Sequence, residues 1–143
     1  MGMVHTEITL KNSDDGALAR RGHIKPEEIR TETVTAVADT GSMYLVITEE
    51  LCQKLGLGIK EEKTASIANG QRIISYLTEA VEVRWKNRAT TVEALVIPGA
   101  QKVLFGAIPM EAMDLMVNPV SQEVVGVHGD KQECYVLTSG HFL

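Results

Sequence analysis

Cysteine is scarce in this chain. Cys52 and Cys134 are its only two in 143 residues, far apart, and neither belongs to a CxxC or Cys/His cluster. That pattern points away from a disulfide framework and reads as reduced thiols. Runs of positive charge are missing too. The 14 Lys and Arg residues are scattered, the longest basic run is Arg20-Arg21, and the formal net charge is −5, so no nucleic-acid surface is expected. No apolar stretch approaches the length of a bilayer span, and no membrane partner is expected. The segment Met1 to Leu10 carries His5 and Glu7 and has no apolar h-region. A reducing, cytoplasmic setting is the resulting expectation. His5, His23, His128 and His141 are dispersed without ligand spacing, so neither a metal nor another cofactor is expected.

What the chain does have is apolar content, 44%, with only 4% aromatics. A chain of this length buries roughly 70% of its unfolded surface. One domain over 1–143 is expected, with a motif-bearing core at about 29–127 and a tail from 128 whose weak periodicity predicts fraying. Thr6 to Leu10 alternates like a strand. The polar stretch from Lys11 to Glu28 reads as a long loop, either mobile or lying over the surface. Ile29 to Ala38 has strong period 2, and Met43 to Ile47 is a second apolar strand. Thr48 to Gly56 is signalled as a short helix from both ends: a capping Thr, two acids at the start, Lys54 near the close and a Gly stop.

Strand patterns return after Lys63. Asn69-Gly70 lies between two alternating arms, the strongest short-range hairpin signal. Thr78 to Trp85 and Thr90 to Ile97 form a second pair about Lys86-Asn87-Arg88. A short strand ending at Gly106 leads to a helical turn holding Pro109, then strands at about 115–117 and 123–127. Many short strands with one or two small helices indicate a mostly β, closed or sandwich-like domain.

Between two apolar strands stands Asp39-Thr40-Gly41-Ser42. Asp and Gly suit turns, and a carboxylate capping its own loop is the plain alternative to a functional one. Two further features come later in the chain: the Asn69-Gly70 hairpin, and Leu104-Phe105-Gly106 opening a short helix. Alone, these are an ordinary hairpin and a core strand with a break. Trp85 reads as core, Glu111 and Asp114 as helix-surface charges, and Glu61-Glu62 as a solvated face.

Taken together, the three motifs resemble the retroviral-like (retropepsin-like) aspartic proteases, in the small single-lobe form of bacteria and archaea. The resemblance covers roughly Ile29 to Val127. Ala38 stands where a larger aliphatic is commoner and Phe105 where a branched one is; neither removes a catalytic atom. The resemblance implies a closed retropepsin-like β-barrel with a flap hairpin. It makes Asp39 the catalytic residue, with Thr40, Gly41 and Ser42 supporting its loop: Thr40 bonding across a dimer, Gly41 allowing close approach and an unusual φ, Ser42 donating to the Asp39 carboxylate. Ile67, Ala68, Asn69, Gly70 and Gln71 become the flap and substrate-binding residues, and Val46, Leu104, Phe105 and Gly106 the pocket. The family's reaction uses two carboxylates and one DTG supplies one, so a homodimer is implied, hydrolysing a polypeptide substrate through a water held by Asp39 and its symmetry mate. A peptide-binding or dimerisation module without turnover is the alternative function on the same fold. The third is a structural barrel in which DTGS is only a turn.

Overall fold

The computed structural model describes residues 2–130. Nine strands and three short helices follow one another as β1 (Val4–Asn12), α1 (Ser13–Arg20), β2 (Thr31–Ala38), β3 (Leu45–Ile47), α2 (Glu49–Lys54), β4 (Ile59–Ser66), β5 (Arg72–Trp85), β6 (Arg88–Val96), β7 (Val103–Phe105), α3 (Ala107–Ala112), β8 (Leu115–Asn118) and β9 (Glu123–Gly126). A single 3₁₀ turn, Pro26–Glu28, precedes β2. Seven strands form one sheet in the order β1-β2-β7-β3-β6-β5-β4, and β1 also pairs with β5. Strands β1, β2, β7, β3, β6 and β5 therefore close into a six-stranded barrel, and β4 extends beyond it as the outer arm of the hairpin. The mostly β, closed-barrel expectation holds.

Alternation decides which residues fill the barrel. Ile8 and Leu10 of β1, Leu45 and Ile47 of β3, Val81 and Val83 of β5, and Phe105 of β7 are buried in one core with Met110 and Met113. All three residues of β3 are buried, as both faces of that strand are covered. Leu45 and Ile47 point into the barrel, whereas Val46 joins Leu77 and Leu95 in a second, smaller cluster outside it. Trp85 is buried as expected, and its indole N–H donates to Thr6 Oγ1 at 2.8 Å.

β5 is one strand of 14 residues, where two segments were expected. Its register shifts between Leu77 and Ala80, which lets the first half run out into the hairpin while the second stays in the barrel. Thr78 repairs the interrupted ladder: its buried hydroxyl accepts from the Ala94 N–H at 3.1 Å and donates to the Glu79 carbonyl at 2.7 Å. Beside it, Glu79 Oε1 accepts from the Gly58 N–H at 2.7 Å, bracing the base of β4.

The stretch 11–28 is not the loop expected: it holds α1 and the 3₁₀ turn, so the described residues contain three short α-helices where one or two were expected. The signal was local and polar. Asn12 caps α1, its Oδ1 accepting from the Asp15 N–H at 3.0 Å, while its Nδ2 donates to the Leu55 carbonyl at 2.8 Å. Asp15 then turns inward and accepts from the Arg30 backbone N–H, Nε and Nη2 at 3.0, 2.8 and 2.9 Å. The guanidinium extends over Gly56, where a Cβ would lie 1.7 Å from Arg30 Nη1. One carboxylate thus ties α1 to the start of β2 and, through Arg30, to the end of α2.

At the other end, the side chain of Arg88 is fully buried. Its Nη1 donates to the Met113 and Asp114 carbonyls at 3.0 and 2.9 Å, and its Nη2 to the Gly129 carbonyl. This joins β6 to the α3–β8 corner. Asp114 lies past the end of α3, with φ 58°, and accepts from His128 Nδ1 at 2.8 Å, so it is not the simple helix-surface charge expected. Strand β9 pairs with β8 in a separate two-stranded sheet. Of the expected tail, 131–143 lies outside the described residues, and Cys134 with it. Cys52 is buried in α2, and burial pushes its thiol pKa up, as suits an inert packing residue.

Donation from Arg30 holds the Asp15 carboxyl below its ordinary range, against the opposing pull of burial. A depressed folded-state pKa contributes stability that is present above the unfolded value, near 4, and is lost as pH falls through the folded one. Asp15→Asn is therefore expected to cost about 1–2 kcal/mol at pH 7, discounted for the half-exposed guanidinium. In thermal melts the gap between wild type and variant should narrow steadily below pH 4. A gap independent of pH would dismiss the ionised pair as its source.

Candidate active site

β2 runs outward beside β1, with Val4 opposite Ala38, and beside β7, with Ala38 level with Phe105. The chain then leaves the sheet at Asp39. Four backbone hydrogen bonds fix the loop beyond that point. Asp39 N–H donates to the Phe105 carbonyl at 3.0 Å, and Ser42 N–H to the Asp39 carbonyl at 3.0 Å. The N–H groups of Ala107 and Ile108, in the first turn of α3, donate to the carbonyls of Ser42 and Met43 at 2.8 and 2.9 Å. Helix starts leave such donors unpaired, and here the loop supplies their acceptors.

Gly106 makes this contact possible. A Cβ there would stand 2.2 Å from the Tyr44 carbonyl oxygen and 2.6 Å from that of Ser42. The φ of Gly106, −89°, is ordinary, so lack of bulk is the reason for glycine at this position. This corrects the expectation that Gly106 and Phe105 line the pocket. Gly106 is a spacer between loop and helix, and Phe105 is wholly buried in the barrel core. Period 2 separates the pair, leaving Leu104 on the cleft side opposite Val46.

Asp39 itself is exposed, and its Oδ1 accepts from the Gly41 N–H at 2.9 Å. Gly41 suits its position by proximity, since a Cβ would lie 3.1 Å from Asp39 Oδ1; it is not among the residues with positive φ, so the unusual φ expected of it is absent. The Ser42 hydroxyl does not reach Asp39. It donates to the Tyr44 carbonyl at 3.1 Å, which makes it a brace of the loop and not a partner of the carboxylate. Thr40 is exposed at the crown of the loop.

The carboxylate opens onto a cleft of about 770 Å³ between this loop and the hairpin. Val46, Leu95 and Leu104 floor it, and Ala65, Ile67 and Ala68 of the hairpin roof it. Asp39 is the only acidic residue lining it among the described residues. The hairpin tip closes on two bonds, Gly70 N–H to the Ile67 carbonyl and Ile67 N–H to the Gln71 carbonyl, both 2.9 Å. Only Gly70 takes a positive φ, 84°, which gives a type I turn followed by a glycine bulge, where Asn-Gly alone would suggest a type I′ turn. Asn69 and Gln71 are exposed at this tip, the Asn69 Oδ1 accepting from the Gln71 N–H at 2.8 Å.

A family model described as aspartyl protease matches residues 26–129. The chain belongs to the aspartyl protease family. Among solved structures, the retroviral protease-like domain of Ddi1 from Leishmania major is similar with a TM-score of 0.51 and 11% identity, over 84% of each chain. A retropepsin-like aspartic protease from Rickettsia conorii is similar with a TM-score of 0.43 and 15% identity, over 82% of this chain and 89% of that one. No curated protein matches the chain. The family match spans the Asp39 loop, the hairpin and the Leu104-Phe105-Gly106 strand end. It also spans Arg88, which sequence reasoning missed: a lone Arg after a turn carries no signal that it will be buried.

Gly106→Ala should force the Asp39 loop and α3 apart. An overpacking cost of about 1–3 kcal/mol is expected, read as a lower urea midpoint with unchanged m. A midpoint equal to wild type would show that the contact does not constrain the loop.

Proposed function

We propose that the protein is a homodimeric aspartic endopeptidase in which Asp39 and the same residue of a second copy form the catalytic dyad. One observation carries this reading: Asp39 is the single acidic residue lining the cleft among the described residues, and it is exposed on a loop held by backbone hydrogen bonds. Hydrolysis without a covalent intermediate needs one group to take a proton and another to give one. A second copy about a two-fold axis supplies the missing carboxyl.

Two carboxyls so close do not both ionise, so the pair holds one proton and titrates as a unit. The ionised member takes a proton from water as its oxygen attacks the scissile carbonyl carbon. The protonated member gives its proton to the carbonyl oxygen. When the tetrahedral diol collapses, the C–N bond breaks, the leaving nitrogen takes up the proton held by one Asp39, and a diol hydroxyl returns its proton to the other, restoring the singly protonated pair. Thr40, at the crown of the loop, would bond across the axis. Substrate would lie extended beneath Ala65, Ile67 and Ala68, pairing through its main chain and placing alternate side chains on the apolar floor. The shift in β5 at Leu77–Ala80 is where the hairpin would flex to admit it.

Cleavage of a peptide library by wild type and Asp39→Asn, paired with a solution mass measurement, tests the proposal. The variant should lose roughly 10²–10⁴-fold in kcat/KM. The active species should weigh twice the 15.6 kDa chain. The pH profile should be bell-shaped, because activity needs one proton on the pair, not none or two. Cleavage that survives Asp39→Asn, or an active monomer, would refute the dyad. Peptide held by the wild type but never cut would point instead to a binding module.

A further inference from the structure

Two of the side chains lining the cleft are charged. One is Asp39; the other is Lys63, the only cation there among the described residues. Lys63 lies on the outer arm of the hairpin, opposite Ser75. Period 2 puts it on the same face as Ala65, and all three of Lys63, Ala65 and Ile67 line the cleft. Ile67 lies four positions after Lys63, roughly 13 Å at strand rise. Its ammonium is partly exposed, and its ion-pair partner is the more exposed Glu61, at 3.8 Å on the same strand. A surface pair that long and that open contributes little, so the cation is available to a competing carboxylate.

We propose that Lys63 is a specificity residue that selects an acidic side chain at the far end of a bound peptide. The proposal rests on the cleft taking an extended peptide, as in the function proposed above. An extended peptide rises about 3.4 Å per residue, so, with the bond to be cut taken to lie beneath the hairpin tip at Ile67, 13 Å puts Lys63 about four residues from it. In a two-fold dimer each hairpin brings its own Lys63, so the preference falls on both sides of the bond to be cut. The bound sequence is apolar at its centre, over Val46, Leu95 and Leu104, and acidic toward its ends.

Peptides with a reduced, non-cleavable central bond test this by binding alone. Two are compared by fluorescence anisotropy, identical except for Glu or Gln four residues from that bond. The wild type should bind the Glu peptide roughly two- to five-fold tighter, less so at high salt. Lys63→Met should bring the ratio of the two Kd values to one, Lys63→Glu should invert it, and Lys63→Arg should keep it. Because the readout is a ratio within each variant, a general loss of affinity does not imitate it. Equal binding of both peptides by wild type, or a preference that survives Lys63→Glu, overturns the assignment, and so does failure to bind either peptide. A Glu preference in a protein that never cuts the cleavable versions leaves the assignment standing and removes only the peptidase reading.

Discussion

A side chain that is missing governs the geometry of this molecule. Gly106 lets the start of α3 lie against the Asp39 loop closely enough for two helix N–H groups to reach the Ser42 and Met43 carbonyls. The Asp39 N–H is bound to the strand immediately before that glycine. Loop, strand end and helix start are therefore one hydrogen-bonded unit, and the carboxylate inherits its position from that backbone, its own Oδ1 adding the bond from the Gly41 N–H. A turn between strands would otherwise be among the more mobile parts of the chain. Here it is tied to the core through Phe105, Met110 and Met113, all fully or almost fully buried.

Much of this was legible beforehand. The Asp39 loop, the hairpin and Leu104-Phe105-Gly106 stood out because each needs a residue type that few others replace: a carboxylate in a strand break, a glycine at positive φ, a glycine at a close contact. What the sequence hid were choices between partners. Ser42 has a hydroxyl that could reach either Asp39 or a backbone carbonyl, and only the loop's curvature, which brings the Tyr44 carbonyl to 3.1 Å, selects the second. Leu104 and Phe105 look alike in composition, and which one faces the core depends on the register of a three-residue strand.

The missed helix α1 has a similar explanation. Ser13 to Arg20 is polar and holds a glycine, so its periodicity is faint. Beyond the local Asn12 cap, it is held by contacts of Asn12 and Asp15 with Leu55 and Arg30, 43 and 15 residues away. Interactions of that range leave no local trace. The continuity of β5 was hidden for the opposite reason: the shift at Leu77–Ala80 looks like a strand end in sequence, whereas Thr78 satisfies the interrupted ladder with its own hydroxyl. The same irregularity separates a hairpin that stands free from a barrel that does not.

Strand β3 has a consequence of a different kind. Its three buried residues serve two masters: Leu45 and Ile47 belong to the barrel interior, Val46 to the floor of the cleft, and Leu104 answers Val46 from the neighbouring strand. Mutational drift at Val46 and Leu104 can reshape the groove while the interior on the other face stays untouched. A lineage built on this scaffold can therefore vary its groove without disturbing the barrel interior, within what the smaller cluster of Val46, Leu77 and Leu95 tolerates, because the two selective pressures act on opposite sides of the same few peptide planes.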